Sequence, residues 1–306
     1  MATKKAASTK KATAKKPAAA KTTVRTVAKP APKTVARPVA TPVVRSSAAS
    51  SLPSNIVNIV FAELVGTFVL TLVALLTFKE TGALYVGLAL TVLVLAIGAV
   101  SGSHVNPAVT FGLWAMRRLK SILVPFYWGA QFLGAMLAVI VINAVTGDWL
   151  KGGTYNLNFD HIWTMDWSIF GVELVATAVF MFGLAAATSR RELSVGARAF
   201  GVGLSLMAGL LVGSSLLANV QASYDTSKWA SVKDVQHGYR VKSVAANPAV
   251  ALASVEATDS SLTGQRADKT EKQYSRFTSE VVLGTLLGAA LGGNLYLLVA
   301  GARRND

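Results

Sequence analysis

The sequence predicts an all-α membrane protein with six transmembrane helices and two re-entrant half-helices in an inverted repeat. Three observations predict it. Six apolar runs come close to or reach the about 20 residues that cross a bilayer. Asn-Pro-Ala occurs twice, as Asn106-Pro107-Ala108 and Asn247-Pro248-Ala249, each time at the head of a helical pattern too short to span. Glu63-Leu64-Val65-Gly66-Thr67 in the first run returns as Glu173-Leu174-Val175-Ala176-Thr177 in the fourth. Asn is a strong N-cap, and Pro suits the first helical position because it has no N–H to leave unpaired. Half-helices from the two halves would meet inside the bilayer with the positive ends of their dipoles facing. Three spans per half is an odd number, so the halves must lie in opposite orientations.

Residues 1–54 stand apart. The first 50 hold twelve Lys or Arg and no acidic residue, leaving 18 basic against 15 acidic side chains in the rest of the 306-residue chain. This Lys/Ala/Thr/Pro/Val segment has no aromatic residue and cannot bury enough apolar surface to order itself, so it reads as a disordered tail. No apolar core of a signal peptide follows the early lysines. The first reading is a solvated cytoplasmic tail, by the positive-inside logic. A second is contact with anionic lipid headgroups. A third is nucleic-acid binding through phosphate neutralisation, disfavoured because nothing in the tail can stack on bases. The remainder sets the mean hydropathy of +0.47. With no cysteine, disulfides and thiolate chemistry are excluded. No nucleophile–base pair, phosphate loop or redox centre is visible, so neither an enzyme nor a cofactor is expected.

Residues 55–146 form the first repeat. Spans are expected over about 56–78, 84–100 and 122–145, with the half-helix near 106–116 closed by Arg117, Arg118 and Lys120. Those cations favour the helix C-terminus and mark a cytoplasmic side. Gly87 and Gly98 would let helices approach closely. Glu63, a carboxylate within a span, either sits near the headgroups or faces a polar interior. Residues 147–167 read as an outer connecting loop with Trp149, Trp163 and Trp167 at the interface. His161, in that loop, reads as solvated, and no metal ligand set is expected.

Residues 168–301 form the second repeat, with spans over about 169–187, 199–217 and 277–299. Arg190, Arg191 and Arg198 place the intervening loop inside. Gly284, Gly288, Gly292 and Gly293 give the last span a small-residue face. Residues 218–246, with Tyr224, Trp229, His237, Tyr239 and Arg240, read as a polar outer insertion, either a plain surface loop or a cover over the pore mouth.

From Ser101 to Trp114, and again at Asn247-Pro248-Ala249, the chain resembles the major intrinsic proteins, the aquaporins and glycerol facilitators. Gln131-Phe132-Leu133-Gly134-Ala135 looks like that family's third helix. The resemblance covers roughly residues 56–301. It implies a homotetramer with one pore per subunit, in a cell membrane, with both termini cytoplasmic. It implies that Glu63 and Glu173 brace the half-helix loops and that His104 packs and hydrogen-bonds beside the first. The outer constriction would fall at Val86, Ala208 and Val250. Water-selective members place an aromatic residue, a His and an Arg there, and glycerol facilitators follow the second motif with Arg-Asp. Here Val250-Ala251 stands instead. Three small apolar residues imply a wide, apolar constriction that admits water and small neutral solutes such as glycerol. Arg240 or Lys242 would supply the missing cation from the insertion.

Two competing functions are a closed channel-like scaffold, favoured by the long outer loops and missing Arg, and a membrane-tethered nucleic-acid binder using the tail. Secondary active transport is disfavoured, because no embedded acid is expected beyond Glu63 and Glu173.

Overall fold

The computed structural model describes residues 52–77, 81–146, 157–264 and 271–301. Residues 1–51 of the basic tail and Trp149 lie outside them, as do Arg303 and Arg304, read from the sequence as cytoplasmic.

In chain order the helices are α1 (Ile56–Leu76), α2 (Gly82–Ser101), α3 (Pro107–Ala115), α4 (Val124–Thr146), α5 (Trp167–Ser189), α6 (Val195–Ala222), α7 (His237–Arg240), α8 (Pro248–Ala253), α9 (Asp259–Thr263) and α10 (Ser279–Val299). Among the described residues, α1, α2, α4, α5, α6 and α10 are long and apolar enough to cross a membrane. They carry large apolar side chains on the outside as well as inside. On α10, for example, Leu283, Leu287, Leu291 and Leu295 form an exposed stripe repeating every fourth residue, one helix face suited to hydrocarbon.

The two repeats interlock. α1 packs on α4 and α5 on α10, while α2 and α6 pack on each other and on α1 and α5 respectively. The short helices cross over: α3 of the first repeat lies against α10, and α8 of the second lies against α4. Glycines set the helix spacing. A Cβ on Gly134 would fall 2.3 Å from the Leu64 carbonyl oxygen, and one on Gly288 would fall 2.4 Å from that of Leu174. Gly87 meets the Gly203 carbonyl oxygen of α6 in the same way, at 2.8 Å. Gly98, expected to do likewise, meets only Val94 of its own helix, and Gly293 meets the side chains of Met116 and of Met181 on α5, with no backbone in contact.

The fifth span runs further than hydropathy suggested. α6 continues past Leu217 to Ala222, because its polar residues are satisfied within or beside the helix. Asn219 donates to the Ser215 carbonyl, and Gln221 donates to the Val241 carbonyl at 2.8 Å. The polar insertion therefore begins a full turn later and folds as 3-10 turns at Thr226–Lys228 and Val232–Asp234 followed by α7.

The loops at this end form one cap. Strand β1 (Leu157–Asn158) pairs in parallel with β2 (Gln273–Tyr274), and Val255 bridges to Ser275. The Ala257 amide donates to the Arg240 carbonyl, and the Ser279 amide to that of Ile162. Trp163 and Trp167 are largely exposed beside it.

Gly288→Ala should destabilise the fold by about 1–3 kcal/mol through overpacking against α5. Gly171→Ala, where a Cβ meets nothing within 4 Å, should leave stability level or raise it. Thermal unfolding of the detergent-solubilised variants checks the contrast.

Candidate functional site

The two Asn-Pro-Ala turns are built alike and clasp each other. Asn106 and Asn247 are extended N-caps, each with Pro beginning the helix. The Asn106 side-chain oxygen accepts the Ala108 amide at 2.8 Å, and that of Asn247 accepts the Ala249 amide at 2.9 Å. One N–H of each side chain then crosses to the other turn. Asn106 Nδ2 donates to the Ala246 carbonyl at 2.9 Å, and Asn247 Nδ2 donates to the Val105 carbonyl at 3.0 Å. An Asn amide carries two N–H groups, so each keeps a second donor. Both side chains line a cavity of about 780 Å³.

The residues before the two Asn are strained. Val105 has φ +44° and Ala246 φ +48°, a left-handed conformation that is a genuine outlier for a β-branched residue. Two buried carboxylates hold it. Glu63 accepts the His104 amide at 2.9 Å, the Val105 amide at 2.7 Å, Ser101 Oγ at 2.6 Å and Gln131 Nε2 at 2.8 Å. Glu173 accepts the Ala245 and Ala246 amides, both at 2.9 Å. His104 stacks on Tyr127 at 4.4 Å, and its Nδ1 lies 3.2 Å from Thr110 Oγ1.

From the Asn pair the cavity extends to the capped end, between α2, α6 and the loop before α8. Val86 and Val250 line it, and Ala208 does not. From α6 the cavity is lined by Leu206, Leu210, Leu211, Ser214, Leu217, Ala218 and Gln221. Ala208 is two residues from both Leu206 and Leu210, about 200° around the helix from each. The α6 contribution is therefore leucine, bulkier than the expected alanine.

The cation comes from an unexpected place. Arg240 is engaged within the cap, with Nη1 2.8 Å from Asp259 Oδ1 and Nη2 donating to the Val232 carbonyl at 2.9 Å. Lys242 does line the outer part of the cavity, and burial pulls its ammonium below the usual lysine range. Arg276, at the head of α10, lines the same cavity and is 2% exposed. Its Nη1 donates to Glu280 Oε1 at 3.3 Å, and its Nη2 lies 3.5 Å from Glu173 Oε1. Nε and Nη2 make no hydrogen bond among the described residues. One sequence signal marked this pair: Arg276 and Glu280 stand four residues apart where the last span begins.

The cap holds acids that the sequence reading overlooked. Glu256 and Glu280 are 1% and 0% exposed. Glu280 pairs with His237 Nε2 at 2.7 Å as well as with Arg276. Burial lowers the pKa of His237, but the Glu280 and Glu256 carboxylates outweigh that, and the imidazole is held above its ordinary value. His161, read as solvated, is partly exposed, stacks on Tyr274 at 3.8 Å and reaches Glu256 Oε2 at 3.2 Å.

Glu63→Ala should leave the His104 and Val105 amides without their acceptor. At about 1–3 kcal/mol for each buried N–H left unpaired, the variant should show a clearly lower unfolding temperature in detergent. Glu192→Ala, an exposed loop change, is the control.

Comparison with known proteins finds relatives of one family. Residues 77–222 match the family described as Major intrinsic protein. Aquaporin NIP2-3 of Zea mays is 35% identical over 179 residues, 55% of this chain and 54% of that protein. Aquaporin Z of Photorhabdus laumondii is 34% identical over 166 residues, 48% of this chain and 71% of that protein. Among solved structures, the aquaglyceroporin from Plasmodium falciparum overlays with a TM-score of 0.49 at 17% identity, covering 81% of this chain and 96% of that one. The chain spans about half the length of the maize NIP2-3 and NIP2-1 relatives it matches. With Asn-Pro-Ala at both half-helices and a relative matched over most of its length, the chain belongs to the major intrinsic protein family.

Proposed function

We propose that this protein is a passive transmembrane channel for water and small neutral solutes such as glycerol. The observation that carries the reading is the pair of Asn side chains, 106 and 247, presented together on one cavity with an N–H to spare on each. A water oxygen that accepts from both turns its protons outward and is badly placed to relay one along a file. The positive ends of α3 and α8 meet at the same point and repel cations.

Val86, Leu210 and Val250 make the outer part apolar, and Arg276 supplies the positive charge there from α10. Lys242, Ser214 and Gln221 add polar groups to the same wall. The Glu63 and Glu173 carboxylates serve as braces of the half-helix loops, and His104 as a packing and hydrogen-bonding residue. Arg118 follows α3, Arg190 follows α5 and Arg198 stands near the start of α6, and the positive-inside logic supports a cytoplasmic side there, an external cap and internal termini. The protein sits in the cell membrane as a homotetramer with one pore per subunit.

Stopped-flow light scattering on proteoliposomes, with water and glycerol gradients side by side, tests the reading. Fast flux of both at low activation energy is expected. Absence of flux for either would instead make this a closed scaffold. Val86→Phe should cut glycerol flux by about tenfold or more while slowing water less, as expected when a pocket wall excludes the larger solute. Arg276→Lys, measured with a pH-sensitive dye, should keep proton leak at the level of the parent, because it keeps the charge.

A further inference from the structure

His161, His237 and Glu256 converge in the cap from the β1 loop, α7 and the segment after α8. None of them lines the pore cavity. We propose that these three side chains bind a divalent transition-metal cation of the zinc class.

The spacing suits such an ion. The three donor atoms all lie within 4.8 Å of one another. His161 Nδ1 is 3.2 Å from Glu256 Oε2, and His237 Nδ1 is 3.7 Å from the same oxygen. Ligands at about 2.0–2.1 Å in a tetrahedral shell stand roughly 3.3 Å apart. The His237–Glu256 contact would close from 3.7 Å, and the two imidazole nitrogens, within 4.8 Å of each other, would draw together by a side-chain rotation.

The orientation of the ligands is also prepared. His237 meets Glu280 Oε1 through Nε2 at 2.7 Å. A proton held there leaves Nδ1 with its lone pair toward Glu256. A carboxylate behind a ligating imidazole fixes its tautomer and raises its basicity. The His161 ring is held flat on Tyr274, at 3.8 Å and 7° between planes. Glu256 is pinned by its own amide, which donates to the Tyr274 carbonyl at 3.0 Å.

Glu256 supplies an independent observation. It is 1% exposed, and its Oε1 has no hydrogen-bond partner among the described residues. A simple His–Glu hydrogen bond satisfies Oε2 and leaves Oε1 idle in a buried position. A cation between the three side chains would engage the carboxylate more fully. Two imidazoles and one carboxylate suit zinc, cobalt or nickel, whereas calcium and magnesium take oxygen ligands. Three protein ligands leave a fourth position for water.

The site would fasten the loop after α4 to both segments that flank α8. Its ion would sit one residue, Glu280, away from Arg276 at the cavity. Binding does not depend on whether the pore conducts, so its test is separate from any flux measurement.

The test is titration of the purified full-length chain, without a histidine tag, with Co2+ in detergent, followed by displacement with Zn2+. With only three histidines and no cysteine in the sequence, the background is small, and the third, His104, is buried beside Asn106. One Co2+ per chain is expected, with the strong visible absorption of a tetrahedral site, abolished by Zn2+. His161→Ala lies at the partly exposed side of the cluster and should fold. It should weaken Co2+ binding by about tenfold or more, and Glu256→Gln should do the same. No saturable Co2+ uptake by the parent chain would overturn the proposal. So would uptake left unchanged in both variants.

Discussion

Two buried carboxylates hold the centre of this protein together. Glu63 and Glu173 each accept a pair of consecutive backbone amides just ahead of an Asn-Pro-Ala turn. Those amides belong to a stretch driven into left-handed conformations at Val105 and Ala246, which cost of order 1–3 kcal/mol each. Without the carboxylates those amides lose their acceptors. With them, the Val105 and Ala246 carbonyls are aimed across the midline, where the Asn side chains of the opposite turn collect them. Helix start, strained turn, clasp and cavity lining thus form one connected arrangement.

The two halves solve the problem of a buried carboxylate differently. Gly134 meets the Leu64 carbonyl where Gly288 meets that of Leu174, so Gln131 and Thr285 occupy matching places. Gln131 donates to Glu63. Thr285 is spent on carbonyls of its own helix, at Val281 and Val282. Glu173 therefore lacks the amide donor that Glu63 has, and Arg276 stands beside it instead, 3.5 Å away. A cation that balances a brace on one side and faces the cavity on the other serves both needs. Val250 can then be apolar.

The spans were legible because hydropathy alone reports them, and the half-helices because Asn followed by Pro is a local signal with a local cause. The repeat of Glu-Leu-Val pointed to both carboxylates that accept the turn amides. Ala208 was misplaced because each residue turns a helix by 100°, and a motif match two positions off selects the opposite face. Arg276 was invisible as a pore residue because it stands 26 positions after Val250 in the sequence and reaches the cavity only through tertiary folding. The cap was illegible for a related reason. Its segments have no periodicity, and its order comes from pairings such as β1 with β2 that join residues far apart in sequence.

The crossed packing of the short helices bears on how the chain is made. α3 lies against α10, which is synthesised after the other five described spans, while α8 lies against α4. A nascent first half therefore has a polar, non-helical turn at membrane depth with no opposite turn to clasp it and no α10 to shield it. Exposed backbone of that kind is not tolerated in hydrocarbon. The early spans must wait in a polar or protein-lined setting until the second half arrives. Insertion is thus cooperative over nearly the whole channel domain, even though its sequence divides cleanly in two.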